Sequence, residues 1–100
     1  MNEVDFRNWL AHKGTKKKVL SDCIYRLKRI EREINHCDID EQYHSDRCEY
    51  LLSLFKNNGL NTLMEAYPDA QLPIGKYYMS TYRLALKKYI QFCDETNRNK

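Results

Sequence analysis

Residues 16–35, KKKVLSDCIYRLKRIEREIN, decide the fold. Leu20, Cys23, Ile24, Leu27, Ile30 and Ile34 recur at intervals that bring side chains onto one face of an α-helix. No glycine or proline interrupts them, so the spacing predicts one helix from about Lys16 to Asn35. A stripe of that length must be covered by other helices, which makes this segment the spine of a helical domain.

The flanking sequence supplies the cover. Phe6, Trp9 and Leu10 share a face and predict a helix over about residues 3–12, stopped at Lys13-Gly14-Thr15, where glycine is free to take the left-handed cap. After the spine, His36–Asp40 breaks the apolar pattern. A third helix is expected from about Asp46 to Asn57, with Asp46 and Glu49 at capping-box spacing and Cys48, Leu51, Leu52 and Phe55 as its stripe. Residues 61–66 predict a further short helix, and YPDAQLPIG (67–75) a loop. The last helix should run from about Lys76 to Asp94 and bury Tyr78, Tyr82, Ala85, Leu86, Tyr89 and Cys93. Only three glycines and two prolines are present, which favours long helices over many strands and turns. The expectation is therefore all-α: a compact bundle of four to five helices, with residues 1–94 as one domain and 95–100 as a frayed polar tail.

Composition narrows the class. A hydrophobic content of 42% with 12% aromatics is enough for one core, and no apolar run approaches the roughly 20 residues of a membrane span. The opening MNEVDFRNWLAHKG does not have the pattern of a signal peptide, so the four cysteines are expected as reduced thiols and the chain as cytoplasmic, with no membrane partner.

Charge is distributed in blocks. Residues 1–35 hold nine Lys/Arg against five Asp/Glu, residues 36–69 two against seven, and residues 70–100 six against two, within a net charge of only +3. On the second helix Lys17, Ser21, Lys28 and Arg32 share one side, with Tyr25 and Arg29 beside them. On the last helix Lys76, Ser80, Arg83 and Lys87 do the same, and no acid lies between Lys76 and Tyr89. Cations mixed with hydroxyls suit phosphates and base edges. Lys16-Lys17-Lys18 opens a helix where the macrodipole disfavours positive charge, a cost that contact with a polyanion would offset. Duplex DNA is the partner this pattern predicts. The competing possibility is a merely solvated face, with Asp22 and Glu31 neutralising part of the stripe.

Reaction chemistry finds little footing. His36, Cys37, His44 and Cys48 lack the tight pair spacing of a zinc site, and Cys23, Cys48 and Cys93 sit on apolar stripes as small hydrophobes. Asp38, Asp40 and Glu41 have no glycine where a calcium loop must bend. There is no phosphate-binding glycine loop and no nucleophile elbow. No metal, cofactor or enzymatic activity is expected. A rival role, an adaptor or inhibitor protein of a mobile element or defence system, would use the acidic section 36–69 to meet a protein partner.

Three stretches, FRNWLAHKG (6–14), VLSDCIYRLKRIE (19–31) and YYMSTYRLALKKYIQF (77–92), resemble the SAM-like N-terminal, core-binding domain of phage-type integrases, the tyrosine recombinases. The resemblance implies a small helical bundle whose basic helices contact DNA. By position it points to Lys17, Lys28, Arg29 and Arg32, and to Lys76, Arg83 and Lys87. In that family the Arg, His-x-x-Arg and nucleophilic Tyr belong to a separate catalytic domain. None of the eight tyrosines here has such a supporting set, so the resemblance implies a non-catalytic module.

Overall fold

Five α-helices and two 3₁₀ turns make up residues 1–96, the part that the computed structural model describes. They are α1 (Glu3–His12), α2 (Lys17–Glu33), α3 (Ile39–Asp46), α4 (Glu49–Leu54) and α5 (Met79–Thr96), with 3₁₀ turns at Lys56–Gly59 and Leu63–Ala66. No strand occurs among the described residues, and none of their helices is long and apolar enough to cross a membrane.

The apolar stripe of α2 is the centre of the core. Leu20, Cys23, Ile24, Leu27 and Ile30 are buried, and Ile34 continues the stripe just beyond the helix. α1 covers one side with Phe6 and Leu10. α5 covers the other with Met79, Tyr82, Ala85, Leu86, Tyr89, Ile90, Phe92 and Cys93. Phe6 anchors an aromatic cluster, edge-on to Tyr89 at 4.9 Å and tilted against Phe92 at 5.4 Å. α2 and α5 run antiparallel, since Arg29 meets Tyr82 near one end and Lys13, just before α2, meets Glu95 at the other.

Capping separates the helices into two kinds. Asn2 caps α1 and Asp38 caps α3, and both helices carry acids in their first turn. α2 and α5 have no acid in the first turn, and Lys16 offers α2 no capping side chain. The two cation-bearing helices are therefore held by burial against each other, with no help from acids at their N-termini.

Four expectations need correction. The helix expected over 46–57 is broken in two, because Arg47 and Cys48 both adopt left-handed backbone (φ 58° and 64°). That corner buries the Cys48 side chain, turns Arg47 toward Asp94, and leaves Asp46 to accept from the Tyr50 N–H at 3.0 Å. The break expected at His36–Asp40 begins with left-handed backbone at Asn35 and His36, but it is shorter than expected, and Ile39–Asp46 form α3, for which no helix was expected, fixed by the Asp38 cap and the buried Ile39. Residues 61–66 contribute only the 3₁₀ turn, where Asn61 accepts from Met64 N. The last helix begins at Met79, and Tyr78 is 46% exposed, not in the core; Met79 takes the buried place. α5 also continues past Asp94 through Thr96, with Glu95 accepting from Trp9 Nε1 at 3.0 Å. Asn97–Lys100 of the expected tail lie outside the described residues.

Candidate nucleic-acid interface

The entry to α5 is built by two loops that lock together. Asn57 and Asn58 have left-handed backbone, and Gly59 follows at φ 84°, where an added Cβ would lie 3.4 Å from Ile74. Gly75 then donates its N–H to Asn58 O at 2.7 Å. The chain leaves this clasp as a tight turn, with Met79, Ser80 and Thr81 N–H donating to the carbonyls of Lys76, Tyr77 and Tyr78. The Ser80 and Thr81 hydroxyls donate to Tyr77 O and Tyr78 O, so the serine expected on the DNA-facing stripe bonds locally. No side-chain carboxylate takes part.

That absence extends along the helix. Residues 70–93 contain no Asp or Glu. Among the described residues no carboxylate lies within ion-pair distance of Lys76, Arg83, Lys87 or Lys88. Arg83 Nε is buried with no acceptor. Lys88 is half-buried and turns toward α2, where it lines a shallow groove with Val19, Cys23, Arg26, Thr81, Leu84 and Ala85. Burial pushes the Cys23 thiol up to about 11, while Lys88 and Arg26 both pull it the other way, so the two cations converge on one spot. Leu84 (55% exposed) and Val19 (48%) flank that groove.

The cations of α2 behave differently. Lys28 Nζ lies 2.8 Å from Glu3 of α1, and Lys28 and Arg7 together hold the Glu3 carboxyl below its usual range. Arg32 Nε binds Glu33 at 2.9 Å. The Gln71 N–H and then Arg32 keep that carboxyl low. Arg29 donates to the Tyr82 hydroxyl at 3.0 Å, with its Nε buried and unpartnered. Lys17 is exposed and has no carboxylate within ion-pair distance among the described residues, but it sits at the end of α2 that adjoins the C-terminal half of α5.

Of the seven residues expected at the site, Arg83 and Lys87 share α5, Lys76 lies in the turn before it instead of on the helix, and Arg29 reaches α5 through Tyr82. Lys28 turns to Glu3 of α1, Arg32 is paired with Glu33, and Lys17 sits at the other end of α2. Arg26 and Lys88 were missed. Lys88 lies in the same acid-free run as Lys87, and Arg26 borders the apolar stripe of α2; only the antiparallel packing of the two helices brings them together.

About half of the acids serve the fold. The Met1 amino group sits 2.9 Å from Glu31 and 2.5 Å from Asp38, with Asp40 at 3.8 Å. Burial lowers its pKa, but bonds to Asp38 and Glu31 outweigh that and raise it to about 10. The Tyr89 hydroxyl accepts from Asn2 N and donates to Asp40; burial, reinforced by Asp40, raises its pKa strongly. Arg47 and Tyr43 bind Asp94 and hold its carboxyl low. Glu41, Glu49, Glu65 and Asp69 remain exposed.

No family model matches the chain, and no solved structure matches it.

Chemically, the α5 face can hold an anion. The thiols are poor nucleophiles. Burial raises Cys23 and Cys37 to about 11 and Cys48 and Cys93 to about 12, which keeps them protonated near neutral pH.

Proposed function

We infer that the chain is a non-catalytic DNA-binding helical module, of the recombinase core-binding kind that its sequence resembles, and that it meets the phosphate backbone chiefly through α5. One observation carries this: Lys76, Arg83, Lys87 and Lys88 have no carboxylate partner among the described residues, in a stretch of 24 residues without an acid. Arg83, Lys87 and Lys88 lie within about two turns of one another on α5, with Lys76 in the turn before it, so they repel one another without a compensating acid in the fold. Phosphates supply the missing counter-charge, and the release of condensed counterions drives the association.

The predicted α2 stripe contributes less. Lys28 and Arg32 already have carboxylate partners, whereas Arg26 joins Lys88 across the groove. The rival role, protein docking through the acidic section 36–69, would fall to Glu41, Glu49, Glu65 and Asp69, since Asp38, Asp40 and Asp46 are engaged within the fold.

Titrating duplex DNA at several salt concentrations tests the proposal. With about five phosphates neutralised, affinity should fall by about 500-fold between 50 and 200 mM salt. A flat salt response, or no binding at the lowest salt, contradicts it.

A further inference from the structure

Tyr77 and Tyr78 are the unexplained feature of the α5 entry. Tyr77 is 85% exposed, more than any other large apolar or aromatic side chain described, and Tyr78 is close to half exposed. Their rings meet edge-to-face, with centroids 5.6 Å apart and planes at 85°. Neither side chain makes a hydrogen bond to another described residue, although the Tyr50, Tyr67, Tyr82 and Tyr89 hydroxyls are all engaged. The fold thus gains little from either ring.

Their surroundings are cationic. Lys76 precedes them directly, Arg83 follows within two turns, and Tyr78 stands one turn before Tyr82, whose hydroxyl holds Arg29. Glu33, at the end of α2, is already bound by Arg32 and by the Gln71 N–H. The backbone of the turn that carries both rings is held by the Ser80 and Thr81 hydroxyls and the Gly75–Asn58 clasp, so both rings project from a fixed turn.

We propose that Tyr77 and Tyr78 form a stacking platform for unpaired bases, so that α5 binds single-stranded nucleic acid in preference to duplex of the same length. Exposed rings beside a cationic track fit a flexible strand, because the backbone follows the charges while its bases are free to turn onto the aromatic faces. A closed duplex hides those base faces within its own stack and leaves the tyrosines only its outer surface. The acid-free cations make the surface complementary to a polyanion, and this decides against an acid-neutral protein partner. The proposal rests on α5 as the phosphate-binding helix.

The test measures fluorescence anisotropy of a labelled oligothymidylate and of a duplex of equal length, at matched salt, for the wild-type chain and the Y77A/Y78A variant. Both positions are exposed, and unchanged helical circular dichroism and melting would confirm that the variant folds. Expected is tighter binding of the single strand by wild type. The variant should lose about tenfold or more of that affinity, while duplex binding changes less than about twofold. Y77F/Y78F, which keeps the rings, should retain single-strand binding. Loss of hydroxyls alone reproducing the defect would overturn stacking. Equal wild-type affinity for the two ligands, or an alanine variant that still binds the single strand normally, would also overturn it while leaving duplex binding through α5 intact. If wild type binds neither ligand, the phosphate-binding role of α5 fails, and the platform fails with it.

Discussion

The two halves of α5 use their polar side chains in opposite ways. Toward its C-terminus, Tyr89, Asp94 and Glu95 each join the helix to another element: Tyr89 to Asp40 and the start of α1, Asp94 to Tyr43 and Arg47, Glu95 to Trp9 and Lys13. Toward its N-terminus, Arg83, Lys87 and Lys88, and Lys76 in the turn before the helix, have no such carboxylate partners among the described residues. Polar groups toward the C-terminus thus hold the bundle together, and the cations toward the N-terminus are left available. The difference teaches that charge density alone does not mark a binding surface. Lys28 and Arg32 belong to an equally basic stretch, yet the fold supplies each with an acid.

If the halves have separate duties, substitutions in them should separate stability from binding. The largest effect is expected from neutralising the α5 entry and the N-terminal part of the helix with K76Q/R83Q/K87Q/K88Q. At low salt, affinity for duplex DNA should fall at least a hundredfold with the melting temperature unchanged or slightly raised, because four repelling charges are gone. Next comes Tyr89→Phe in the C-terminal half. It removes one hydrogen bond to Asp40 and one from Asn2, so urea denaturation should show a loss of about 1–2 kcal/mol, with DNA affinity unchanged. A binding defect in Y89F, or a collapsed fold in the quadruple variant, would erase the distinction between the halves.

Smaller effects sharpen the contrast with α2. Glu3→Gln releases Lys28, and since exposed ion pairs are worth only about 0.2–1 kcal/mol, affinity should rise about two- to fivefold in a direct titration. The gentlest change is with pH. Asp38 and Asp94 are held below their ordinary value of 3.8, so their contribution is present above that value and is lost as pH falls below it. The Met1 amine is raised from 8.0 to about 10, so its contribution is complete below pH 8 and is lost as pH rises toward 10. Thermal melts across this range should show a plateau between about pH 5 and 8 with decline on both sides.

Much of the bundle could be read from periodicity. The ends of α1 and the whole buried stripe of α2 follow from spacing, because an uninterrupted apolar face leaves a helix few alternatives. The α3–α4 corner could not, since left-handed backbone at Arg47 and Cys48 is unusual for both residue types and is stabilised by distant partners, Asp94 among them. Tyr78 was misplaced because its spacing to Tyr82 and Ala85 fits a helical stripe, whereas the turn set by Gly75 delays the helix to Met79. For the candidate site, the acid-free run exposed Lys76, Arg83 and Lys87. Nothing local indicated that Glu3 would reach Lys28, or that Arg26 would face Lys88, because those pairings arise only when α1 and α5 pack on α2.

The most direct measurement compares how steeply duplex affinity depends on salt in three proteins: wild type, K28Q/R32Q, and K76Q/R83Q/K87Q/K88Q. Each lost phosphate contact should reduce the slope of log K against log salt by about one. The account predicts a slope lower by about four in the α5 variant and nearly unchanged in the α2 variant. Equal slopes in all three, or the larger drop in the α2 variant, would contradict it.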